Sequence, residues 1–199
     1  MRTRFKAFLA VGLAAVLSLG LIAPNSAGAQ AAAKVKITGG TTTLTVPTAT
    51  VNKLLGAQIV ALVTAPGTQS LNGNGSLTAR YPVSGGAITA KPPGGTFTHR
   101  GGLYTANLGT GQHAAVDNFT VDLAKKVLTA RIVGTSSRLI VFNLVLKNAV
   151  IKATRHLITI SRVGLRLEKN AAGILNGALG TTVFTPGMNF GTAVAKLRH

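Results

Sequence analysis

The chain has 199 residues, no cysteine, and 21 Lys plus Arg against 3 Asp plus Glu. That length supports one domain with a buried core, and without cysteine there is neither a disulfide nor a lipid-modified cysteine anchor. Three acids leave little material for acid–base catalysis, and a net charge of +18 attracts anionic partners at long range.

Arg2, Arg4 and Lys6 precede a small, apolar run from Ala7 to Ala23, and Ala27-Gly28-Ala29 follows. Basic head, apolar stretch and small-residue cleavage site are the three parts of a secretory signal peptide. Residues 1–29 are therefore expected to be removed, with 30–40 as a short leader and 41–199 as a single domain. A retained anchor is the alternative, although the run lies near the lower length limit of a membrane span.

After the leader the pattern is mostly β. Thr41–Val46 is rich in β-branched residues and Gln58–Thr64 is a buried-type apolar run. Ala65–Ser76 has the Pro, Gly and Asn density of a loop. Leu77–Val83 reads as a strand that Pro82 confines to an edge or an end, because proline cannot donate to a ladder. Lys91–Gly95 reads as a break.

In Asn118–Gly134, Phe119, Val121 and Leu123 alternate with polar residues, as do Leu128, Ala130 and Ile132, across a short Ala124-Lys125-Lys126 connection. Period-two alternation predicts a hairpin with one buried face, on whose polar side Asp122 and Arg131 are candidate cross-strand neighbours. Three more strands are expected at Arg138–Lys147, Ala149–Thr154 and His156–Leu167, the last bent near Arg162–Gly164. Ile140, Phe142, Leu144 and Leu146 are assigned to one face.

Two short helices interrupt the strands. One spans Pro47–Ala57, with Thr48 as N-cap and Gly56 as stop. The other spans Lys169–Thr181, with Asn170 as N-cap and Gly180 as stop. Each follows an alternating strand, which hints at a faint internal duplication. A closing strand is expected at Asn189–Arg198. The fold class is all-β: an antiparallel sandwich or barrel-like domain with one or two short helices.

Nothing in this pattern is a catalytic signature. Asp117 and Asp122 are the only close pair of acids, and no groove between them is marked for glycoside hydrolysis. There is no nucleophile elbow, zinc-protease helix or phosphate loop, so no enzyme activity is expected. Two tyrosines and no tryptophan offer little for base stacking, which argues against nucleic acid. Anionic wall polymers and lipid headgroups are the nearer partners for an exported cation, and a purely solubilising charge is the alternative.

Histidine is the remaining ligand-type side chain. His99 and His113 flank Tyr104 within Gly94–His113, a stretch otherwise dominated by glycine and threonine. A metal site is not expected, since structural zinc takes four ligands. The segment Phe97-Thr98-His99-Arg100-Gly101-Gly102-Leu103 resembles the Phe-x-Gly-His-x-Gly-x-Leu segment of the HtaA-type domain, an exported, β-rich, haem-binding module of Gram-positive cell surfaces. The strand pair Asn118–Val133 and the closing strand–helix–turn–strand run resemble the rest of that domain, over roughly residues 75–197.

The resemblance implies haem as cofactor, held by a tyrosine near the domain start with a histidine assisting. His99 matches that histidine. The chain departs from the pattern at the tyrosine, for none lies between Thr41 and Gly56. The candidate ligand residues are therefore His99, Tyr104 and His113. A domain of the same fold without a cofactor, binding anionic surfaces through its charge, is the other reading.

Overall fold

The computed structural model describes residues 34–90 and 92–199; the expected signal peptide lies outside the described residues. The elements are β1 (Val35–Ile37), β2 (Gly39–Val46), α1 (Thr48–Gly56), β3 (Ile59–Thr64), β4 (Thr68–Leu71), β5 (Leu77–Ala90), β6 (Pro93–His99) and β7 (Gly102–Asn107). There follow β8 (His113–Asp122), β9 (Val127–Ile132), β10 (Arg138–Val145), β11 (Val150–Ala153), β12 (Leu157–Leu167), α2 (Lys169–Leu179) and β13 (Asn189–Arg198).

Every pairing is antiparallel, and eight strands close on themselves in the order β5-β2-β13-β12-β10-β9-β8-β6-β5. The fold is a barrel. Closure removes the unpaired edges that an open sheet would leave. β1 and β4 add to β5, β11 to β12, and β7 with β3 to β8.

Alternation points the apolar set inward. On β12, Ile158, Ile160, Val163, Leu165 and Leu167 are buried, while Arg162 and Arg166 are not. Fully burying one such side chain contributes roughly 1.5–3 kcal/mol. An apolar interior with a polar exterior is the reverse of a transmembrane barrel.

The bend expected in β12 is a shift of register between Ile160 and Val163, with Arg162 at φ 60°. The extra residue turns Val163 inward where strict alternation would have pointed it out. A second shift corrects the sequence reading. Between Ile140 and Phe142 the β9–β10 register slips, so Val141 joins Phe142 and Leu144 in the core, and Ile140 is 41% exposed. A slip of one residue exchanges the two faces of a strand, which periodicity alone cannot foresee.

A third shift lies between Asp117 and Thr120, beside Asn118 at φ 51°. The hairpin register sets Asp122 across from Val127, far from Arg131, and the shift brings Asp117 rather than Asn118 opposite Arg131, at 2.6 Å. Asp122 instead accepts the Lys125 amide in the hairpin turn.

The loop expected at 65–76 contains β4. Pro82 does not end its strand: β5 runs on to Ala90. The Pro82 carbonyl accepts the Arg100 amide, so its missing N–H faces the same edge of β5. On that edge β4 has finished at Arg80 and β6 begins only at Val83, so no ladder bond is lost. Gly86 permits the close approach of β6, since a Cβ there would run into the backbone of Thr96 and Phe97.

Both helices form where expected, with different caps. Pro47 precedes α1, supplying fixed φ but no side-chain acceptor. The N-cap of α2 is Glu168, whose carboxylate accepts the amides of Asn170 and Ala171. Gly180 ends α2 in the left-handed conformation at φ 57°, which glycine adopts without Cβ strain. Thr50 donates to the Asn189 carbonyl at 2.7 Å, tying α1 to the start of β13 and directing Leu54 into the core. α2 packs Ala171, Ala172 and Leu179 against the barrel, and Asn107 donates to its last carbonyl.

Candidate functional site

The barrel does not fill its own interior. A cavity of about 380 Å³ lies inside the barrel, lined from all eight of its strands, β2, β5, β6, β8, β9, β10, β12 and β13. Leu44, Ala79, Phe97, Phe119, Ile160 and Ala195 are among its lining residues. Among the described residues only four polar side chains line it, those of Thr42, Gln69, Tyr81 and His99, and none of these lining residues carries a formal charge. The volume falls within the range of small-ligand sites, which are mostly apolar with a few placed polar groups.

Three of those groups come from adjacent strands. Leu77, Ala79, Tyr81 and Val83 alternate inward along β5. Thr42 of β2 stands directly across from Tyr81, and His99 of β6 across from Val83. His99 is 4% exposed and Tyr81 9%. Phe119 meets Tyr81 edge-on with centroids 5.1 Å apart, and Phe97 tilts against the His99 ring at 5.3 Å.

The partners of His99 settle its tautomer. Nδ1 lies 3.3 Å from the Phe119 carbonyl oxygen, which can only accept, so the ring proton is on Nδ1. Nε2 therefore presents its lone pair, and the Thr42 hydroxyl donates to it at 2.7 Å. Burial pushes the imidazole down to about 4, against the opposing pull of the Phe119 hydrogen bond. The ring is neutral at pH 7. A neutral imidazole anchored through one N–H to a backbone carbonyl is the form that ligates metals, its other nitrogen free to coordinate.

Tyr81 differs in having no such anchor. Its hydroxyl makes no hydrogen bond to the described residues, and burial alone holds its proton more firmly than in water. It is a protonated donor at the cavity wall.

The cavity opens toward α1, β3 and β4. Leu55, Leu62 and Leu71 line it there and are 54%, 50% and 68% exposed. β3 and β4 share no ladder at this point. The Gln69 side chain spans the gap instead, accepting the Val63 amide at 2.6 Å and donating to the Ala61 carbonyl at 3.4 Å.

The other two candidate residues lie elsewhere. Tyr104 of β7 and His113 at the start of β8 stack on each other, with centroids 5.5 Å apart and planes at 26°. Neither lines the cavity, so the structure separates them from His99. Among the described residues no three metal-binding side chains come together. The sequence reading missed Thr42 and Tyr81. The signal for Tyr81 was present in the inward alternation from Leu77 to Val83, whereas Thr42 is one of three successive threonines.

These features define a class: a closed antiparallel barrel that encloses an apolar cavity with a neutral polar end. Among solved structures, the chain is similar to the C-terminal domain of HtaA from Corynebacterium glutamicum, with a TM-score of 0.58 and 14% identity, over 82% of this chain and 98% of that one. The fold is thus that of an HtaA-type domain. A domain-swapped dimer of a variant of the same domain aligns at TM-score 0.46 and 18% identity, over 74% of this chain and 88% of that one. No family model and no curated protein sequence matches the chain.

Proposed function

We propose that the protein is a non-catalytic binding module of the cell envelope that encloses an apolar small molecule within its barrel. The observation that carries this reading is the uncharged cavity of about 380 Å³, open at one end and polar only at a few placed groups. Export rests on the signal-peptide pattern of residues 1–29. The basic exterior supports retention near anionic wall polymers. Two of the three acids are paired with cations, Asp117 with Arg131 and Asp122 with Lys125, and Glu168 is engaged as a helix cap.

A fluorescent titration tests the cavity. Prodan, a neutral naphthyl ketone dye, is expected to bind saturably with one site per chain and a blue-shifted emission. Emission that grows without saturation would contradict an enclosed site. Retention by charge predicts binding to an anionic wall polymer that fades as salt rises, because screening shortens the reach of exposed charges. Attachment unchanged in high salt would overturn that part.

The tautomer of His99 favours a second reading of the same site, in which the ligand is haem. The residues fit an imidazole ligand: His99 is neutral, anchored at Nδ1, and offers Nε2 toward the cavity. They do not fit a tyrosinate from the early strand, where the partner of His99 is Thr42, an alcohol. Haem held by His99 would rest on histidine alone, as in globin-type ligation, and Thr42 would surrender its hydrogen bond to Nε2. Titration with haemin would then give a saturable Soret shift that His99→Ala abolishes. A shift that survives the substitution would sink this reading.

A further inference from the structure

Tyr81 is the unspent polar group of the cavity. His99 and Thr42 satisfy each other, Phe119 supplies the carbonyl for His99 Nδ1, and Gln69 is occupied by the backbone of β3. The Tyr81 hydroxyl has no partner among the described residues, although the side chain is nine-tenths buried and lines the cavity. The hydroxyl oxygen itself is not sealed off, since no fully buried side-chain oxygen or nitrogen among the described residues lacks a partner; it opens onto the cavity that Tyr81 lines, where water or a ligand can meet it. Its ring is fixed by the edge-on contact with Phe119, so the donor is held in place.

The surroundings set the chemistry of what it receives. Among the described residues no Lys or Arg lines the cavity, so an ionised carboxylate placed beside Tyr81 would be buried without a counter-charge. A hydrocarbon would leave the hydroxyl unmet. We infer that Tyr81 selects a ligand whose apolar body carries a neutral hydrogen-bond acceptor, a ketone, quinone or ester carbonyl, with the Tyr81 O–H donating to it. This rests on the reading of the cavity as an apolar ligand site and adds the class of ligand.

A matched series separates the two claims: naphthalene bearing an ethyl, an acetyl or a carboxylate group, titrated by prodan displacement at pH 7 against the wild type and Tyr81→Phe. The acetyl compound is expected to bind about three- to ten-fold tighter than the ethyl compound, the worth of one neutral hydrogen bond. The carboxylate should bind at least about ten-fold more weakly than either. In Tyr81→Phe the acetyl advantage should vanish while ethyl affinity is unchanged, which also reports that the variant is folded. Equal affinities in the wild type, or an acetyl preference that persists in Tyr81→Phe, would overturn the inference and leave the cavity standing. Failure of all three to displace prodan would overturn the cavity reading and the inference with it.

Discussion

His99 and His113 lie fourteen residues apart in one glycine-rich stretch, and the fold gives them opposite environments. His99 points into the barrel, loses its water, and has both ring nitrogens assigned by fixed partners. His113 sits at a strand start and shares its exposed face with Tyr104. The residue type is the same, so the difference lies in what the strand register does with it. A ligand-type side chain becomes a site only where burial suppresses its charge and a second contact fixes which atom it presents.

Truncating each ring should separate the two histidines most strongly. His99→Ala removes a large buried ring and leaves the Phe119 carbonyl without its donor. It should cost about 3–5 kcal/mol in denaturant unfolding, the range of large-to-small core substitutions with an orphaned polar group added. His113→Ala should stay within about 0.5 kcal/mol of wild type. Similar costs for the two would erase the distinction.

Acid titration sharpens it. Because the folded-state value of His99 lies below its ordinary value of 6.5, the unfolded chain binds the extra proton first. Stability from this group is fully present above pH 6.5 and is lost as pH falls toward 4. The loss is on the order of 3 kcal/mol, the worth of the fall from 6.5 to about 4. His99→Leu should flatten that part of the profile, and His113→Leu should not.

Surface electrostatics should matter least. Arg131 holds the Asp117 carboxyl below its ordinary value through a bidentate hydrogen bond, but the pair stands in solvent. Asp117→Asn should leave the thermal midpoint close to wild type, since exposed ion pairs are screened and contribute little. A large drop would show that the bulge beside Asn118 depends on the pair.

Much of the architecture was legible in the sequence because alternation is a direct image of a two-sided strand. The Phe119 hairpin, the three strands from Arg138 and the bend near Arg162 all follow from it. What alternation could not show was where it breaks. The slip at Ile140 brings Val141 into the core, and the slip at Asn118 gives Arg131 the carboxylate of Asp117 where an unbroken ladder would have set Asn118. Pro82 misled for a related reason. A missing N–H ends a strand only if a neighbour stands there to receive it, and the gap between β4 and β6 is a property of closure.

The site was half legible. His99 stood out as a ligand-type residue in a recognisable segment. Thr42, fifty-seven residues earlier, became its partner only through the barrel, and the polar cluster is assembled from strands that meet by long-range pairing. Tyr81 was readable as inward-facing, yet its lack of a partner is visible only when every nearby group has been placed.

A small apolar ligand held in the barrel interior must compete for space with the side chains of its wall. Ala79→Phe tests it most directly, because Ala79 is buried on the cavity wall beside Tyr81 and a phenyl ring there would fill the space from β5. With folding verified by an unchanged far-ultraviolet spectrum, prodan titration should show one saturable site in the wild type and none in the variant. Unaltered saturable binding to Ala79→Phe would place the ligand outside the barrel and contradict the account.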